Sequence, residues 1–235
     1  MTQRTIAIGD IHGCHLALER LIRDLKPAPD DILIILGDAV DRGPGTKQAI
    51  EQLLELEKSC RLIFLMGNHE EMMLEAREGT MIESTWLRYG GQETLDSYGG
   101  GYEMVPERHW EFFKSGLDYL ETDSEIFVHA SLEPGVALAD QTPDWLRWSR
   151  LTGKETPREC GRRVICGHTS LNQDLPWVLD GWVCLDTRCY AKQYLTALDV
   201  TNNLVYQARQ TGESRGPFPL PALDDQPPDS GTPRA

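Results

Sequence analysis

The sequence lacks any apolar run long enough to cross a membrane. A bilayer-spanning helix needs about 20 consecutive apolar residues, and none of the 235 residues belongs to such a stretch. Residues Met1–Arg4 lead almost at once into a short apolar segment, and no signal-peptide pattern is visible there. We therefore expect a cytoplasmic protein that has no membrane partner.

Paired cysteines are also lacking. The six cysteines show no CxxC spacing of the kind that marks a redox or zinc site. Because a cytosolic chain keeps its thiols reduced, we predict that all six are free and that most of them are buried.

Positive charge is scarce. The chain has 23 Lys and Arg residues against 37 Asp and Glu residues, which gives a formal net charge of −14. Nucleic acids are normally bound by a basic face, so we expect no nucleic-acid partner. Phosphate-bearing substrates remain compatible with this charge, because bound divalent cations would reverse the sign of the local field.

What the sequence does contain is a repeated pattern of short apolar runs that end in potential metal ligands. A purely apolar run bounded by turn residues favours a buried parallel strand, and open α/β sheets bind ligands just beyond the carboxyl ends of such strands. Oxygen and nitrogen ligands without thiolates suit hard or borderline divalent metals. The segments that follow the five runs are GDIHG (9–13), GDAVDRG (37–43), GNHE (67–70), His129 and Gly167-His168.

Strands and helices alternate over the first part of the chain. Helical spacing of apolar residues predicts helices over 15–25 and 47–58, between three apolar strands. This is the βαβαβ pattern of a parallel sheet. Later apolar runs predict a second, more antiparallel half, so we expect an α/β fold of two stacked sheets with the site at one end.

Two segments depart from this alternation. Residues 70–123 are rich in Glu, Met and aromatics, and we interpret them as a helical insertion of two to four helices within a catalytic domain of residues 1–210. Within the insertion we expect His109 at the surface or at a helix cap, and the aromatics Trp110, Phe112 and Phe113 in the core. Residues 211–235 are proline-rich, and we expect a C-terminal tail without packed structure.

Taken together, the motifs resemble those of the calcineurin-like metallophosphoesterases. GDAVDRG combined with GNHE is similar to the PPP branch, which contains serine/threonine phosphatases and bacterial relatives that include diadenosine tetraphosphate hydrolases. The resemblance extends over roughly residues 4–200. It implies two mixed β-sheets stacked between helices as a four-layer sandwich.

The resemblance also implies a centre with two divalent metal ions. Manganese would suit these ligands best, and iron, zinc, nickel or cobalt would also fit. A hydroxide that bridges the two ions would be the nucleophile. The ligands of one ion would be Asp10, His12 and Asp38. The ligands of the other would be Asp38, Asn68, His129 and His168.

The same resemblance assigns roles to four further residues. His69 would protonate the leaving oxygen as the general acid, and Asp41 would hold its tautomer. Arg42 and Arg150 would bind the phosphate oxygens, for which a planar guanidinium is well suited. Any one of these acids or histidines alone would more often have a structural role. Their joint occurrence is what argues for a phosphoesterase.

Two positions depart from the family pattern. Ser131 stands where glycine is usual after His129, a change that concerns backbone fit more than metal binding. Arg188 stands where glycine is usual in the element Leu185–Arg188. It would add a cation near the phosphate or narrow the pocket.

The motifs leave three functions to distinguish. The preferred one is a serine/threonine protein phosphatase, or one of dual specificity, that acts on a phosphorylated protein, a phosphopeptide or a small phosphoester. A bis(5'-nucleosyl)-tetraphosphatase is the alternative, although the insertion holds few cations for a tetra-anion. A noncatalytic binding module of the same fold is disfavoured, because the proposed acid and phosphate-binding arginines are all retained. The cations of the insertion are Arg77, Arg88, Arg108 and Lys114.

Overall fold

A computed structural model describes residues 3–223 of the chain. This part contains eleven strands, seven α-helices and several short helical turns. The strands are β1 (Thr5–Ile8), β2 (Ile32–Ile35), β3 (Arg61–Phe64), β4 (Tyr119–Glu121), β5 (Glu125–Val128), β6 (Arg163–Cys166), β7 (Trp177–Leu179), β8 (Trp182–Cys184), β9 (Tyr194–Asp199), β10 (Leu204–Arg209) and β11 (Ser214–Pro219). The helices are α1 (His15–Leu25), α2 (Thr46–Leu56), α3 (Asn68–Glu78), α4 (Glu83–Trp86), α5 (Gln92–Tyr98), α6 (Glu107–Lys114) and α7 (Pro143–Trp148).

The strands form two mixed sheets. The first has the order β11-β10-β9-β1-β2-β3, in which β1, β2 and β3 are parallel and the other three pair antiparallel. The second has the order β4-β5-β6-β8-β7, in which β5, β6 and β8 are parallel. Each sheet therefore aligns the carboxyl ends of three parallel strands along one edge.

The two sheets pack face to face over an apolar core. Ala7 and Ile34 of the first sheet belong to one buried cluster with Phe127, Ile165 and Val183 of the second. Because consecutive strand residues point to opposite faces, the residues between them face outward to a second layer. The observed α/β fold, two mixed sheets flanked by helices, confirms the predicted fold class.

Helices cover the outer face of the first sheet, whereas α7 and loops cover that of the second. The other face of the first sheet, with Ile6 and Leu33, packs against helices that supply Leu18 of α1, Ile50 of α2 and Phe113 of α6. The helix predicted over 15–25 has those bounds, and α1 ends where Lys26 takes a left-handed conformation (φ 46°). The helix predicted over 47–58 is observed as α2, which ends two residues earlier, at Leu56.

Several local expectations are confirmed. Trp110, Phe112 and Phe113 are buried in the core that α6 shares with the first sheet. All six cysteines are free, and only Cys160 is exposed. Between residues 3 and 223, no helix combines the length and the apolar character needed to cross a bilayer.

The expectation for His109 is wrong. Its side chain is fully buried. Both ring nitrogens have partners there, since the Tyr98 hydroxyl lies 2.7 Å from Nδ1 and a Glu51 carboxylate oxygen lies 3.1 Å from Nε2. Burial lowers the pKa of His109, and Glu51 opposes that shift. The ring therefore links α6 to α2 and α5 instead of facing solvent.

The expectation of a tail without packed structure is wrong for Ser214–Pro219. These residues form β11, the outermost strand of the first sheet, which pairs antiparallel with β10. An edge strand tolerates proline, because one row of its backbone N–H groups needs no partner in the sheet. The rest of the predicted tail, from residue 224 onward, lies outside the described residues.

Candidate metal centre

The carboxyl ends of the parallel strands of both sheets converge at one edge of the sandwich. Asp10 and His12 follow β1, and Asp38 follows β2. Asn68 and His69 begin α3, just after β3. The second sheet contributes His129, His168 and Asp186, which follow β5, β6 and β8.

Several residues of the site have a backbone in the left-handed region, with positive φ. Residues other than glycine rarely adopt positive φ, and such conformations concentrate at functional sites, where the surrounding structure maintains them. Five of the sequence-predicted site residues share this feature. They are His12 (φ 45°), Asp38 (φ 50°), Asp41 (φ 70°), Arg42 (φ 64°) and His168 (φ 60°).

Two glycines let the loops of the site approach one another. A Cβ on Gly67 would lie 2.2 Å from Asp38 Oδ1. Gly90, with φ 108°, lies in a π-helical turn (Leu87–Gly91), and a Cβ there would lie 2.6 Å from the backbone nitrogen of Arg42. That nitrogen donates to Gly90 O at 3.0 Å. The predicted insertion thus fixes the backbone of the proposed phosphate-binding arginine.

Asp38 lies at the middle of the site. It belongs to two groups in which the potential ligand atoms all lie within 4.8 Å of one another. One group also contains His12 and His69, and the other also contains His129 and His168. The arrangement of two groups around one carboxylate is what a two-metal site requires.

The His129 ring has a defined tautomer. Its Nδ1 lies 2.7 Å from Leu36 O, and since a carbonyl only accepts, Nδ1 carries the proton and donates it. Burial lowers the pKa of His129, so the ring is neutral and Nε2 keeps a lone pair. That lone pair faces Asn68 Oδ1 at 3.1 Å and Asp38 Oδ1 at 3.4 Å.

The same argument holds for His168. Its Nε2 donates to Trp148 O at 2.9 Å, which leaves a lone pair on Nδ1, 3.0 Å from Asn68 Oδ1. Two ring nitrogens, an amide oxygen and the Asp38 carboxylate therefore converge as acceptors. Such a set suits a cation, which would accept electron density from all of them.

The charged groups of the site are strongly perturbed by burial. Burial raises the pKa of Asp38 to about 7. Burial, with the neighbouring Asp186 and Asp38 carboxylates, raises the pKa of Asp10 well above its usual value. Burial and the nearby Arg42 lower the pKa of His12 well below its usual value. Bound divalent cations would offset both the burial and the repulsion between the carboxylates.

Asp10 lies beside these two groups without belonging to either. Its carboxylate oxygens accept from the backbone N–H of His168, at 3.1 and 3.2 Å. Sequence reasoning gave no role to Asp186, although it too follows an apolar strand. Asp186 is buried and accepts from Ser170 Oγ at 2.6 Å and from the backbone N–H of Arg188 at 3.0 Å.

His69 and Asp41 form a buried pair. The His69 Nδ1 lies 2.7 Å from Asp41 Oδ2, and the His69 Nε2 lies 3.9 Å from Asp38 Oδ2. The indole N–H of Trp86 and the hydroxyl of Thr94 also donate to Asp41, at 2.9 and 2.8 Å. Both donors come from the 70–123 segment, so that segment holds the carboxylate that orients His69.

The two predicted phosphate-binding arginines lie near different imidazoles of the site. Arg42 donates from a guanidinium nitrogen to His12 Nε2 at 2.8 Å, and its Cζ lies 4.7 Å from the centre of the Tyr190 ring. Arg150 is exposed and lies close enough to His168 to lower the pKa of that ring, after the larger effects of burial and His129.

Glu70 is a functional residue that sequence reasoning quoted without assigning it a role. Its fully buried carboxylate accepts from four backbone N–H groups. These belong to Asp38, Ala39, Val40 and Gly67, at 2.9, 2.8, 3.2 and 3.1 Å. Glu70 therefore fixes the loop that carries Asp38. The signal in the sequence is its place in the first turn of α3, where a Glu reaches back to free N–H groups.

We expect Glu70→Gln to lower the free energy of unfolding by about 1–3 kcal/mol, because the amide nitrogen would face backbone donors. Glu78→Gln, an exposed change on the same helix, is the control and should leave stability unchanged. Burial raises the pKa of Glu70 to about 7, so ionisation has a cost, but the two carboxylate oxygens accept from four backbone N–H groups, which one amide oxygen cannot match. Urea denaturation at pH 8 therefore compares the ionised carboxylate with the amide. Equal denaturation midpoints for Glu70→Gln and Glu78→Gln would refute the proposed role of Glu70 in fixing the loop.

A shared aspartate among neutral imidazoles, set where two stacked sheets end, is an arrangement that suits a dinuclear metal centre. The chain belongs to the calcineurin-like phosphoesterase family, whose model matches residues 3–196. The resemblance predicted from the motifs is thereby confirmed. The family uses a dinuclear metal centre, and the two groups around Asp38 are its candidate ligands here.

Relatives of two kinds are similar in sequence. The symmetrical bis(5'-nucleosyl)-tetraphosphatase of Burkholderia thailandensis is 32% identical over 146 residues, which cover 60% of this chain and 48% of that protein. The PP2A-like serine/threonine-protein phosphatase PPG1 of Saccharomyces cerevisiae is 33% identical over 141 residues, 57% of this chain and 34% of that protein. The chain thus spans about half the length, or less, of these curated relatives.

Solved structures share the fold. A protein provisionally named a diadenosine tetraphosphatase has a TM-score of 0.68 at 19% identity, covering 88% of this chain and 94% of its own. A cold-active protein-tyrosine phosphatase of a psychrophilic Shewanella species has a TM-score of 0.66 at 17% identity, covering 93% and 81%. At these identities the likeness shows a common fold.

Proposed function

We propose that the chain is a phosphomonoesterase that removes phosphate from phosphorylated proteins or peptides and depends on two divalent metal ions, with manganese as the best fit. The observation that carries the metal dependence is the convergence of acceptor atoms without a donor between them. His129 Nε2, His168 Nδ1, Asn68 Oδ1 and Asp38 Oδ1 all face one another in this way. A bound cation would satisfy such a set, because buried polar and charged atoms need a partner.

The ligands proposed for the two ions are those implied by the motifs. Asp10, His12 and Asp38 would hold one ion. Asp38, Asn68, His129 and His168 would hold the other. When bound, the pair would polarise the phosphate and supply a water nucleophile at neutral pH. The backbone carbonyls of Val40 and Leu36 support this set, because each accepts the Nδ1 proton of a ligand imidazole and leaves the lone pair on Nε2. In His12 that lone pair accepts from Arg42, which a bound ion would replace.

His69 is the proposed general acid. Its Nδ1 donates to Asp41, so its Nε2 is the nitrogen that faces the reacting phosphate. Burial and Arg42 lower the pKa of His69, so the resting ring is neutral. An arriving phosphate dianion favours the protonated form, and Asp41 stabilises it. Proton donation from Nε2 to the leaving oxygen then needs no movement of the ring.

Arg42 and Arg150 are proposed to bind the phosphate oxygens. Each guanidinium can offer two parallel N–H groups to a phosphate. Arg42 is half-buried and is positioned by its backbone contact with Gly90. Arg150 is exposed, so it would close on the substrate from the solvent side.

The surroundings of the site support a peptide substrate. Trp86, which could have stacked on a nucleobase, is fully buried and donates to Asp41. In the 70–123 segment, Arg77 lies over the Trp110 ring and Arg108 pairs with Glu51, so neither cation is free to attract a polyphosphate. A phosphopeptide needs only the central phosphate-binding arginines and an open approach.

A bis(5'-nucleosyl)-tetraphosphatase is the second candidate, which the relatives favour. The Burkholderia protein bears that name, and the protein with the TM-score of 0.68 bears it provisionally. The proposed metal ligands and general acid would serve this reaction equally well. The two candidates differ only in what the site binds beyond the scissile phosphate.

A direct comparison of substrates tests the proposal. With manganese-reconstituted enzyme, we expect kcat/KM for a basic phosphopeptide to exceed that for diadenosine tetraphosphate at least about tenfold, or about 1.4 kcal/mol of transition-state binding. The Asp38→Asn protein, purified in parallel, controls for contaminating phosphatases. Faster hydrolysis of the dinucleotide at equal manganese would reject the protein-phosphatase assignment and establish the second candidate.

A further inference from the structure

The loop after β8 places an arginine where the backbone favours glycine. Arg188 has φ 53° and ψ 48°, a left-handed conformation that non-glycine residues seldom adopt. Non-glycine residues that keep such a conformation at the edge of a site often have a function there. The contacts of the Arg188 guanidinium indicate what that function is.

The backbone of this loop is anchored beside the candidate metal centre. The Arg188 N–H donates to Asp186 Oδ1 at 3.0 Å, and Asp186 is itself held by Ser170 Oγ. The Asp186 carboxylate is close enough to Asp10 and Asp38 to act electrostatically on both. Arg188 consequently projects from a fixed point next to the proposed ligands.

Tyr190 connects Arg188 to the proposed phosphate-binding arginine. The guanidinium carbon of Arg188 lies 5.9 Å from the centre of the Tyr190 ring, and that of Arg42 lies 4.7 Å from the same centre. The edge-on contact between the Tyr190 and His12 rings has a centre-to-centre distance of 5.1 Å. Two guanidinium groups thus share one aromatic ring at the side of the site.

Arg188 also has unused donors. Its Nε is buried and has no hydrogen-bond partner within residues 3–223, while one terminal nitrogen donates to Asn172. A guanidinium carries five N–H groups. The terminal nitrogens lie on the exposed side of this half-buried side chain, so they are the donors that a ligand oxygen can approach.

We propose that Arg188 binds a second phosphoryl group of the substrate, next to the one that Arg42 holds during hydrolysis. The proposal rests on the phosphoester chemistry proposed above. A planar fork of donors matches phosphoryl oxygens. The second group could be the neighbouring phosphate of a nucleoside polyphosphate or a second phosphorylated side chain, since both present the same oxygens. Arg188 would thereby select substrates that carry two phosphoryl groups close together.

Binding of two non-hydrolysable probes tests the proposal without relying on turnover. Methylenediphosphonate carries two phosphoryl groups and orthophosphate carries one. We measure both dissociation constants by calorimetry at one fixed free manganese concentration. In Arg188→Gly, the preference for the diphosphonate over orthophosphate should fall at least about tenfold. Arg188→Lys should keep part of it, since a point charge remains without the fork.

Lys192→Gly is the matched control. Lys192 is an exposed cation with φ 71°, four residues further along, so this change also removes one positive charge at a left-handed position. It should leave the preference as in the wild type. An unchanged preference in Arg188→Gly, an equal loss of affinity for both probes, or the same loss in Lys192→Gly would each overturn the proposal.

Turnover then identifies the source of the second phosphoryl group. A larger loss of kcat/KM for diadenosine tetraphosphate than for p-nitrophenyl phosphate in Arg188→Gly assigns it to a polyphosphate chain. A loss for a doubly but not a singly phosphorylated peptide assigns it to a second side chain. If the wild type hydrolyses none of these, the proposed function fails, while the binding preference still decides the role of Arg188.

Discussion

Asp38→Asn is expected to abolish high-affinity metal binding at both positions of the centre. Asp38 is the residue shared by the two candidate groups, with Oδ1 3.4 Å from His129 Nε2 and Oδ2 3.5 Å from His12 Nε2. Asparagine keeps the shape and one oxygen but removes the charge that two cations would share. We expect both metal affinities to fall more than about 10²-fold, since changing even an outer partner of a ligand costs about 10–100-fold.

The same change should nearly eliminate hydrolysis. Loss of the metals removes several kcal/mol of charge stabilisation, so kcat for p-nitrophenyl phosphate should drop about 10³-fold or more. Metal content after dialysis against trace manganese is the primary measurement, and Asp144→Asn, an exposed change on α7, is the control. Two ions bound per chain at wild-type affinity would contradict the assignment of Asp38.

Stability of the metal-free protein separates metal loss from unfolding. Burial raises the pKa of Asp38, so the charged carboxylate is a burden on the metal-free fold. The asparagine oxygen can still accept the backbone N–H of His69, which donates to Asp38 Oδ1 at 3.1 Å. We therefore expect the Tm of metal-free Asp38→Asn to equal or exceed that of the metal-free wild type. A large decrease would mean that the variant fails through misfolding.

The convergence of the site could be predicted from sequence because it follows from local pattern. Each apolar run that ends in a ligand marks a strand end, and parallel strands bring their carboxyl ends to one edge. His129 and His168 follow strands of the other sheet, so the motif resemblance was needed to place them with Asp38. The motif resemblance also supplied the expected role of the residues at each strand end.

Residues whose role depends on distant partners could not be placed in this way. His109 is buried because Tyr98 and Glu51 approach it from other helices, and nothing near it in the sequence announces them. The proline content of Ser214–Pro219 reports only the local preference of its backbone. The segment forms a strand because it pairs with the edge of β10, which the local sequence does not reveal. The role of Glu70 also depends on distant residues, because its carboxylate oxygens accept from backbone N–H groups of a loop some thirty residues earlier.

The division of ligands between the two metals is another point that only spatial arrangement can address. Sequence reasoning places Asp10 among the ligands and makes His69 the acid, because neighbouring residues point in different directions. In the structure, both Asn68 and His69 lie close to Asp38, and His69 belongs to a candidate ligand group that excludes Asp10. Asp41, at 2.7 Å from His69 Nδ1, nevertheless gives this ring the partner that a general acid needs.

His69→Asn distinguishes these two roles. If His69 is the general acid, the variant should keep both metal ions and lose about 10²–10⁴-fold in kcat on a phosphoserine peptide, whose alkoxide leaves poorly without a proton. The loss should be much smaller on p-nitrophenyl phosphate, because p-nitrophenolate leaves without one. Metal content by mass spectrometry and kcat on both substrates are the two measurements.

Asp10→Asn is the paired variant that makes the result decisive. Its carboxylate is buried beside Asp38 and meets the backbone N–H of His168, so as a ligand it should be needed for one metal ion and affect both substrates equally. The acid assignment therefore expects metal loss in Asp10→Asn and leaving-group dependence in His69→Asn. The reverse pattern, with one ion lost from His69→Asn and none from Asp10→Asn, would make His69 the ligand and leave the leaving oxygen to be protonated by another group.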